Sequence, residues 1–246
     1  MEKKLKISVI TVTKNSEKFL NENFKSLENQ TYKNFEHIII DGNSKDKTLK
    51  IIKENSKNIH YWISENDFGL YDAMNKGIKK ATGDVIGILN SDDIYYPEAL
   101  SIVNDYFSSN SDIDFLFGSV HKHKLMHGFH PEKIKWTFGF YTTHSVGFFI
   151  RKSSQHKLGL YDTQYKYSAD YDLFYRMIVK KKFKGISTKK NEILGKFRVG
   201  GLSSRIKYLD FLNENSRIRI NNGQNKFIVY IIFLLRILRN FKKLFN

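Results

Sequence analysis

The chain has 246 residues, of which 41 are Lys or Arg and 25 are Asp or Glu, and it contains no cysteine. A hydrophobic fraction of 41% is enough to bury a sizeable core, which excludes a wholly disordered, collagen-like or coiled-coil chain. The lack of cysteine excludes disulfide bonds, thiolate metal sites and a thiol nucleophile.

The net charge of +16 is unevenly distributed. Residues 1–100 carry 15 basic and 15 acidic side chains, whereas residues 205–246 carry nine basic and two acidic ones. A nucleic-acid-binding protein is expected to place basic residues across its main binding face, so we do not expect nucleic acid as a partner. A basic segment beside apolar residues instead favours contact with an anionic lipid surface.

The hydrophobic pattern predicts strands and helices that alternate along the first half of the chain. Predicted strands cover 6–12, 35–40, 60–64, 84–89 and 114–120, with helices over 19–27, 49–52 and 70–81 and after Pro97. In the second half we predict strands at 147–151 and 193–198 and a helix near 169–179. This alternation indicates an α/β fold with a Rossmann-like, mostly parallel central sheet flanked by helices. The N-terminus resembles a first strand rather than a secretory signal, so we expect a cytoplasmic protein.

Polar residues cluster at 13–16, 41–44 and 90–93, where three of the predicted strands end. In parallel sheets, ligands bind at the carboxyl ends of the strands. These clusters therefore predict where a ligand binds.

The cluster Asn90-Ser91-Asp92-Asp93 directly follows an apolar strand. Adjacent carboxylates repel each other unless a cation lies between them. A hard divalent ion that also binds the phosphates of a substrate would offset this repulsion. The alternative is ordinary helix capping, because Asp is common before a helix that begins with Pro.

Two other motifs also have structural alternatives. Asp41 lies in a sequence typical of a turn and N-cap. Gly77 lies inside a predicted helix at a cost of about 1 kcal/mol relative to Ala, which favours close approach of another backbone or a ligand. Asp72 and Lys76 are spaced to form an i, i+4 surface pair on that helix.

Taken together, these motifs resemble family 2 glycosyltransferases of the GT-A fold over about residues 5–204. The resemblance rests on ISVITV with Lys14-Asn15-Ser16, on IIIDGNSKDKT, on Asn75-Lys76-Gly77 with Ala81-Thr82-Gly83-Asp84, and on Asn90–Asp93 in place of the DXD motif. The most similar subgroup builds bacterial surface polysaccharides and lipopolysaccharide cores. The resemblance implies inverting transfer of a sugar from a nucleotide diphosphate sugar, UDP-linked by default, to a hydroxyl of a lipid-linked or oligosaccharide acceptor.

The resemblance also implies roles for individual residues. It assigns the nucleotide sugar to Thr11, Thr13, Asp41, Asp72, Asn75, Lys76, Ser91, Asp92 and Arg198. It assigns a Mn²⁺ or Mg²⁺ ion to Asp93, with Asp92 assisting. Because Asn90-Ser91-Asp92-Asp93 stands in place of a full Asp-x-Asp motif, the number of protein ligands to the ion stays open.

The segment Ser168-Ala169-Asp170-Tyr171-Asp172 is similar to the family's Glu-Asp segment, whose Asp is the general base. Asp172 is spaced to pair with Arg176 at i, i+4 on one helix face, while Asp170 lies on another face. The resemblance therefore implies that Asp170 is the base. The alternative is a first-turn carboxylate that only interacts with the helix dipole.

Two further residues are weaker candidates. Arg198 begins a segment that resembles the subgroup's Arg-x-Gly-Gly-x-Ser loop, and its guanidinium could bind a diphosphate bidentately; a plain loop is the alternative. His144 lies where the subgroup often has a His before a strand, which implies an acceptor contact; a buried structural histidine is the alternative.

The C-terminal segment 225–246 contains nine consecutive apolar residues, 227–235. A bilayer span needs about 20 residues, so we expect this segment to lie in the membrane interface, with basic residues at Arg236, Arg239, Lys242 and Lys243. The alternative is a helix packed on protein. We thus divide the chain into a GT-A domain, 1–204, and a basic amphipathic tail, 205–246. The domain would comprise a nucleotide-sugar half, 1–120, and an acceptor and catalytic half, 121–204. The protein would attach peripherally to the inner face of the membrane.

Two other functions compete with this prediction. A sugar-phosphate nucleotidyltransferase has a similar fold, but it should carry a Gly-rich, Arg-containing loop after the first strand, and the residues 13–16 are Thr-Lys-Asn-Ser. A non-catalytic adaptor would use the basic tail and leave the carboxylate motifs without a role. The oligomeric state stays open.

Overall fold

The structure, a computed structural model, describes residues 4–136, 140–200 and 206–241. The strands are β1 Ile7–Thr13, β2 Phe35–Asp41, β3 Tyr61–Ser64, β4 Val85–Ile88, β5 Ile94–Tyr95, β6 Phe115–Phe117, β7 Ser119–His121, β8 Leu125–Met126, β9 Phe148–Arg151, β10 Gly185–Ser187 and β11 Ile193–Lys196. The helices are α1 Leu20–Glu28, α2 Thr48–Glu54, α3 Leu70–Lys80, α4 Ala99–Ser109, α5 Lys152–Leu158, α6 Ala169–Tyr175, α7 Tyr208–Asn221 and α8 Lys226–Arg239.

A seven-stranded sheet in the order β10-β6-β9-β4-β1-β2-β3 forms the centre of the molecule. Strands β4, β1, β2 and β3 are mutually parallel, and β9 runs antiparallel to both of its neighbours. Thr13 is paired with Asp41, and Asp41 with Ser64. The carboxyl ends of β1, β2 and β3 therefore lie side by side, and the predicted α/β fold with a mostly parallel sheet is confirmed.

The core lies on both faces of this sheet. On β1, Ile10 and Val12 belong to one buried cluster, whereas Ile7 and Val9 belong to another. Successive strand side chains point to opposite faces, so the sheet is covered on both sides. Helix α3 packs closely against β1 at Gly77. A Cβ on this residue would lie only 2.4 Å from Ile10 Cγ2, so the close packing requires glycine. The close approach predicted at Gly77 is thus made by a core side chain.

A second sheet, β5-β11-β7-β8, lies beside the first. The strand predicted at 114–120 divides at Gly118, so that β6 joins the central sheet and β7 joins the small one. Leu194 packs against this glycine, since an added Cβ would lie 2.1 Å from Leu194 Cδ1. Pairing of β5 with β11 brings the residues just before β5 close to those just after β11.

Helix α7 packs against α6, and α8 packs against α7. One π-helical segment, Arg176–Lys180, follows α6. Arg219 on α7 is 2% exposed and donates from Nε to the Tyr171 hydroxyl at 2.7 Å. Directly after this helix, Asn222 donates to Asp172 Oδ1 at 2.7 Å. These contacts join α7 to the body of the protein, and the domain boundary predicted at 204 falls in 201–205, outside the described residues.

Helix α8 buries only part of its apolar surface. Val229 and Ile232 face the protein, whereas eight apolar residues stay exposed: Phe227, Ile228, Tyr230, Ile231, Leu234, Leu235, Leu238 and, just after the helix, Phe241. Arg236 lies toward the protein and donates to the Trp136 carbonyl at 2.9 Å. Lys242 and Lys243 lie outside the described residues. None of the helices in the described ranges is long and apolar enough to cross a bilayer.

Candidate active site

Two residues predicted to bind the nucleotide are buried inside the protein. Thr11 is fully buried, and its hydroxyl lies 2.9 Å from His37 Nε2. Asp41 is also fully buried and accepts hydrogen bonds from the Ser44 hydroxyl and amide and from the Ser64 hydroxyl, at 2.5, 3.0 and 2.6 Å. Thr11 thus joins β1 to β2, and Asp41 makes the turn contacts that its sequence alternative describes, while their assignment to the nucleotide stays a prediction.

Thr13 differs from both of these residues. Its hydroxyl is buried at the end of β1 and has no hydrogen-bond partner among the described residues. The loops after β1 and β2 are held together here, because Asn15 accepts from the Lys45 amide at 2.8 Å and its own amide donates to Ser44 Oγ at 2.8 Å. An unpaired buried hydroxyl is costly, so Thr13 Oγ1 is suited to contact a ligand.

The predicted residues on α3 divide into two kinds. Asn75 exchanges hydrogen bonds with the backbone of Tyr161 at 2.9 Å in both directions, which fixes the segment before α6 and leaves its amide group occupied. Lys76 forms the predicted i, i+4 pair with Asp72 at 3.4 Å and a closer pair with Glu65 at 2.8 Å. The hydrogen bond that Lys76 donates to Glu65 is the main cause that raises the pKa of Lys76. Asp72, in the first turn of α3, and Lys76, one turn later, are thus partly exposed, and Asn75 has a structural contact.

The Asn90–Asp93 turn follows β4. Ser91 is buried, and its hydroxyl lies 2.8 Å from Ser16 Oγ in the loop after β1. Asp93 is 1% exposed and uses both oxygens: Oδ2 accepts from the Ser145 hydroxyl at 2.7 Å, and Oδ1 from the Arg198 amide at 2.8 Å. Asp92 is partly exposed and accepts no hydrogen bond from another described residue.

These contacts distinguish the two aspartates that were predicted to hold the ion. Asp93 was expected to be the principal metal ligand, but its oxygens already hold two separate segments of the chain, and burial together with the neighbouring Asp92 charge raises its pKa to about 7. Burial likewise raises the pKa of Asp92, while a backbone hydrogen bond and the Arg198 charge act to lower it. Asp92 is therefore the carboxylate of this pair whose oxygens are not already taken by hydrogen bonds from other described residues.

The other polar groups of this turn fit a hard cation. The Asn90 side-chain oxygen is buried without a partner among the described residues, and amide oxygens are ligands for such ions. Asn90 and Asp92 are separated by one residue, so they reproduce the spacing of an Asp-x-Asp pair. No group of three or more His, Cys, Asp or Glu side chains in the described ranges is arranged to bind a metal, so an ion here would need ligands from a substrate.

Arg198 lies next to this turn through its backbone. Its guanidinium is held by Glu22 at 2.6 Å and lies 4.1 Å from the centre of the Phe19 ring. Its charge also acts on the carboxyls of both Asp92 and Asp93. The structure thus brings a cation to the turn, while residues 201–204 of the predicted glycine loop lie outside the described residues.

Asp170 lies at the start of α6 and is partly exposed. Its Oδ1 accepts from the Tyr71 hydroxyl at 3.0 Å and its Oδ2 from the Tyr141 hydroxyl at 3.2 Å. Asp172 forms the predicted pair with Arg176 at 2.8 Å. The predicted division between a structural aspartate and one that faces other polar groups is thus present in the structure.

His144 lies beside the same carboxylate. Its Nε2 is 2.7 Å from the Tyr161 hydroxyl, and burial lowers the pKa of His144 although the Asp170 charge acts to raise it. The next residue, Ser145, is the one that donates to Asp93. Two consecutive residues therefore join the Asp92–Asp93 turn to the surroundings of Asp170.

The backbone is strained at this junction. Val146 has φ of 64° and is fully buried, although a β-branched residue strongly disfavours the left-handed region. Such strain persists only where neighbouring structure enforces it, and it occurs often at functional sites. Here the Asp93–Ser145 hydrogen bond and the Val146 amide, which donates to the Ile88 carbonyl at 3.0 Å, hold the segment in place.

Sequence reasoning missed several residues of this site. Ser145 and Tyr141 carried no motif, and their partners are distant in sequence. Tyr71 lies within a recognised motif, but nothing local indicates that its hydroxyl reaches Asp170. Asn90 could have been found, since it occupies the first position of an Asp-x-Asp-like triplet and has an oxygen side chain.

Comparison with known proteins finds similar glycosyltransferases. An uncharacterized glycosyltransferase of Methanocaldococcus jannaschii is 34% identical over 193 residues, which cover 72% of this chain and 66% of that protein. One from Rickettsia typhi is 31% identical over 189 residues, 70% of this chain and 58% of that protein. The chain therefore spans somewhat less than two thirds of the length of these relatives.

Solved structures share the fold. S. aureus TarS, residues 1–349, superposes with a TM-score of 0.69 at 18% identity, covering 96% of this chain and 72% of that one. The mannosyltransferase PcManGT from Pyrobaculum calidifontis, solved with GDP-Man and Mn²⁺, gives a TM-score of 0.66 at 15% identity, covering 94% and 68%. The predicted GT-A fold is thereby confirmed.

The family model for Glycosyl transferase family 2 matches residues 8–183, a range that includes β1, the Asn90–Asp93 turn and Asp170. A match over most of the chain, together with relatives above 30% identity, establishes membership and argues against both a nucleotidyltransferase and a non-catalytic adaptor. The protein belongs to glycosyl transferase family 2.

Proposed function

We propose that the protein is an inverting, divalent-cation-dependent glycosyltransferase that moves a sugar from a nucleotide diphosphate sugar to an acceptor hydroxyl. The observation that carries this proposal is that two consecutive residues relate the two carboxylate sites: Ser145 donates to Asp93, and the charge of Asp170 acts on His144. The Asn90–Asp93 turn would thus be suited to a cation, and the Asp170 carboxylate would be suited to act as a base. TarS has been solved with UDP-GlcNAc, which supports UDP as the donor nucleotide.

Asp92, with the Asn90 side-chain oxygen, would hold Mn²⁺ or Mg²⁺ together with the donor diphosphate. The bound ion would neutralise charge that develops on the departing diphosphate. Asp93 would keep the turn in position through Ser145 and Arg198 rather than bind the ion itself. The Arg198 guanidinium lies close enough to these carboxyls to add positive charge beside the leaving group.

Asp170 would act as the general base. In the transfer, the acceptor oxygen forms a bond to the anomeric carbon as the bond from that carbon to the diphosphate oxygen breaks, and the acceptor proton passes to the Asp170 carboxylate. One displacement inverts the anomeric centre and needs no covalent intermediate on the protein. His144, which contacts the Tyr161 hydroxyl, would contact the acceptor.

The nucleoside would lie over the ends of β1 and β2. Thr13 carries the unpaired hydroxyl there, and the partly exposed Asp72 and Lys76 would contact the nucleoside or sugar. Thr11, Asp41 and Asn75 would contribute by holding this surface in shape, since their side chains are already hydrogen-bonded within the protein.

Helix α8 would attach the protein to an anionic membrane surface. Its exposed apolar residues run along one side of the helix, and the segment 205–246 holds nine basic and two acidic residues. An amphipathic helix of this kind lies in the interface with its apolar face inserted. We propose that the acceptor is lipid-linked or a growing oligosaccharide in bacterial surface-glycan synthesis, and that the enzyme works on the cytoplasmic face.

A donor screen tests the reaction. Purified protein is incubated with Mn²⁺ and a panel of nucleotide sugars, and release of nucleoside diphosphate is measured with and without lipid-linked and oligosaccharide acceptors. We expect acceptor-stimulated release from a UDP-sugar, and a loss on the order of 10² or more in Asp170→Asn. Asp105→Asn is the matched control because Asp105 is exposed on α4. Release of pyrophosphate, or full turnover by Asp170→Asn, would contradict the proposal.

A liposome assay tests the membrane contact. The double variant Ile231→Glu, Leu235→Glu places two charges on the exposed face of α8, where these side chains are 56% and 59% exposed. We expect binding to anionic liposomes to fall about tenfold or more, because apolar burial and charge attraction are both reduced. Phe68→Glu is the control, since Phe68 is 96% exposed on another surface. Equal binding by the double variant and the native protein would show that α8 does not insert.

A further inference from the structure

Two tyrosine hydroxyls enclose the Asp170 carboxylate, one on each oxygen. Tyr71 comes from α3 and donates to Oδ1 at 3.0 Å, and Tyr141 comes from the segment before β9 and donates to Oδ2 at 3.2 Å. The Tyr171 amide adds a third donor to Oδ1 at 2.9 Å. Three parts of the chain thus converge on one carboxyl group, which fixes the direction of both oxygens.

The groups around Asp170 are neutral donors rather than competing charges. Burial, and after it the negative charge of Asp170, raises the pKa of Tyr71 and of Tyr141 well above the ordinary value. The same two causes act on Tyr161, whose hydroxyl is shared with His144, and burial keeps His144 neutral by lowering its pKa. The phenols of this cluster therefore keep their protons and serve as hydrogen-bond donors.

The two tyrosines differ in what else they can bind. The Tyr71 hydroxyl also lies 3.1 Å from the Tyr167 carbonyl, and it has one proton for two acceptors. When Asp170 takes up a proton, Tyr71 can redirect its own proton to Tyr167. The Tyr141 hydroxyl has Asp170 as its acceptor among the described residues. When the carboxylate is neutralised, the Tyr141 bond to it weakens because the acceptor is no longer charged, and the described residues offer Tyr141 no second acceptor.

We propose that Tyr71 and Tyr141 are positioning residues that hold the Asp170 carboxylate ionised and oriented, and that Tyr141 contributes more of this effect than Tyr71. Hydrogen bonds to the charged form of an acid favour that form. The difference between the tyrosines follows because, when Asp170 is neutral, only the Tyr71 hydroxyl has a second acceptor among the described residues, the Tyr167 carbonyl. The consequence for turnover rests on the proposed function, in which Asp170 is the base.

The pH dependence of turnover tests this inference. In Tyr141→Phe we expect the acid limb of the kcat profile to move upward by about one pH unit, with kcat on the alkaline plateau within about threefold of the native value. Tyr71→Phe should show a smaller displacement. Tyr106→Phe is the matched control, because Tyr106 donates to Glu192, another carboxylate, at 2.6 Å. Coincident acid limbs in all four proteins, or an equal loss of kcat at every pH, would overturn the inference.

A second readout does not depend on activity. In protein labelled with ¹³C at the aspartate carboxyl carbons, the Asp170 resonance is assigned by its loss in Asp170→Asn, and its titration midpoint is followed in each variant. We expect a higher midpoint in Tyr141→Phe than in the native protein, and an unchanged midpoint would overturn the inference. If Asp170→Asn retains turnover while the midpoint moves as expected, the proposed base is wrong and the effect of the tyrosines on ionisation stands.

Discussion

Glu214 provides the most quantitative prediction, because it supports the helix that carries Asp170. Its carboxylate on α7 accepts from three successive amides before α6, those of Lys166, Tyr167 and Ser168, at 2.8, 2.7 and 2.7 Å. Glu214 is only 9% exposed. Negative charge at a helix N-terminus also interacts favourably with the helix dipole. The contact therefore fixes the start of α6 from a distant part of the chain.

The size of the effect follows from counting donors. A hydrogen bond to a charged group contributes about 1.5–3 kcal/mol, and a buried donor left unpaired costs about 1–3 kcal/mol. Glu214→Ala leaves all three amides without their acceptor, although water can reach the exposed Lys166, so we expect a loss of about 3–5 kcal/mol in the free energy of unfolding. Glu214→Gln keeps the oxygen shared by Tyr167 and Ser168 and places an NH₂ near Lys166, so it should lose about 1–2 kcal/mol.

Urea unfolding followed by circular dichroism measures both variants. Glu54→Ala is the control, because Glu54 forms an exposed i, i+4 pair with Lys50 at 3.8 Å, and such pairs contribute about 0.5 kcal/mol or less. The three charge-assisted bonds do not stabilise the protein as described if the free energy of unfolding of Glu214→Ala lies within 1 kcal/mol of the native value, or if Glu214→Gln loses as much as Glu214→Ala.

Two further predictions concern the core. Burial acts to raise the pKa of Glu36, but hydrogen bonds from Lys6 and neighbouring groups lower it to about 2; its stabilising effect is therefore present above pH 4.5 and lost as the pH falls toward 2. Glu36→Gln should lower the free energy of unfolding by roughly 2 kcal/mol at pH 7 and by much less at pH 3 in urea titrations, and an equal loss at both pH values would refute this. Gly77→Ala should destabilise by about 1–3 kcal/mol through its contact with Ile10, and Ile10→Ala should remove most of that penalty in a double-mutant cycle; strict additivity would mean that the contact is not the cause.

The elements that the sequence predicted well are those with a strong local pattern. The run ISVITV places its apolar residues on both faces of a buried strand, and 70–81 has helical spacing, so β1 and α3 were located within a residue or two. The two-residue strands β5 and β8 are too short to show any period. Their existence depends on pairing with β11 and β7, which only the folded chain provides.

The different contacts of Asp92 and Asp93 could not be predicted either, for a related reason. The two residues are identical and adjacent, and only contacts separate them. The partners of Asp93 lie 52 and 105 residues away, at Ser145 and Arg198. Similarly, Asp170 and Tyr71 are 99 residues apart. Motif spacing located the carboxylates, but hydrogen bonds between distant segments decide which of them is available to a ligand.

In the proposed mechanism, Asp92 binds the cation and the donor, whereas Asp170 acts only in the transfer of the sugar. The most direct measurement is calorimetric titration of UDP, with and without Mn²⁺, into the native protein, Asp92→Asn and Asp170→Asn, alongside their turnover. We predict that Asp170→Asn binds UDP with Mn²⁺ as the native protein does yet fails to turn over, and that Asp92→Asn loses the Mn²⁺-dependent part of binding. Native-like Mn²⁺-dependent binding by Asp92→Asn would contradict the claim.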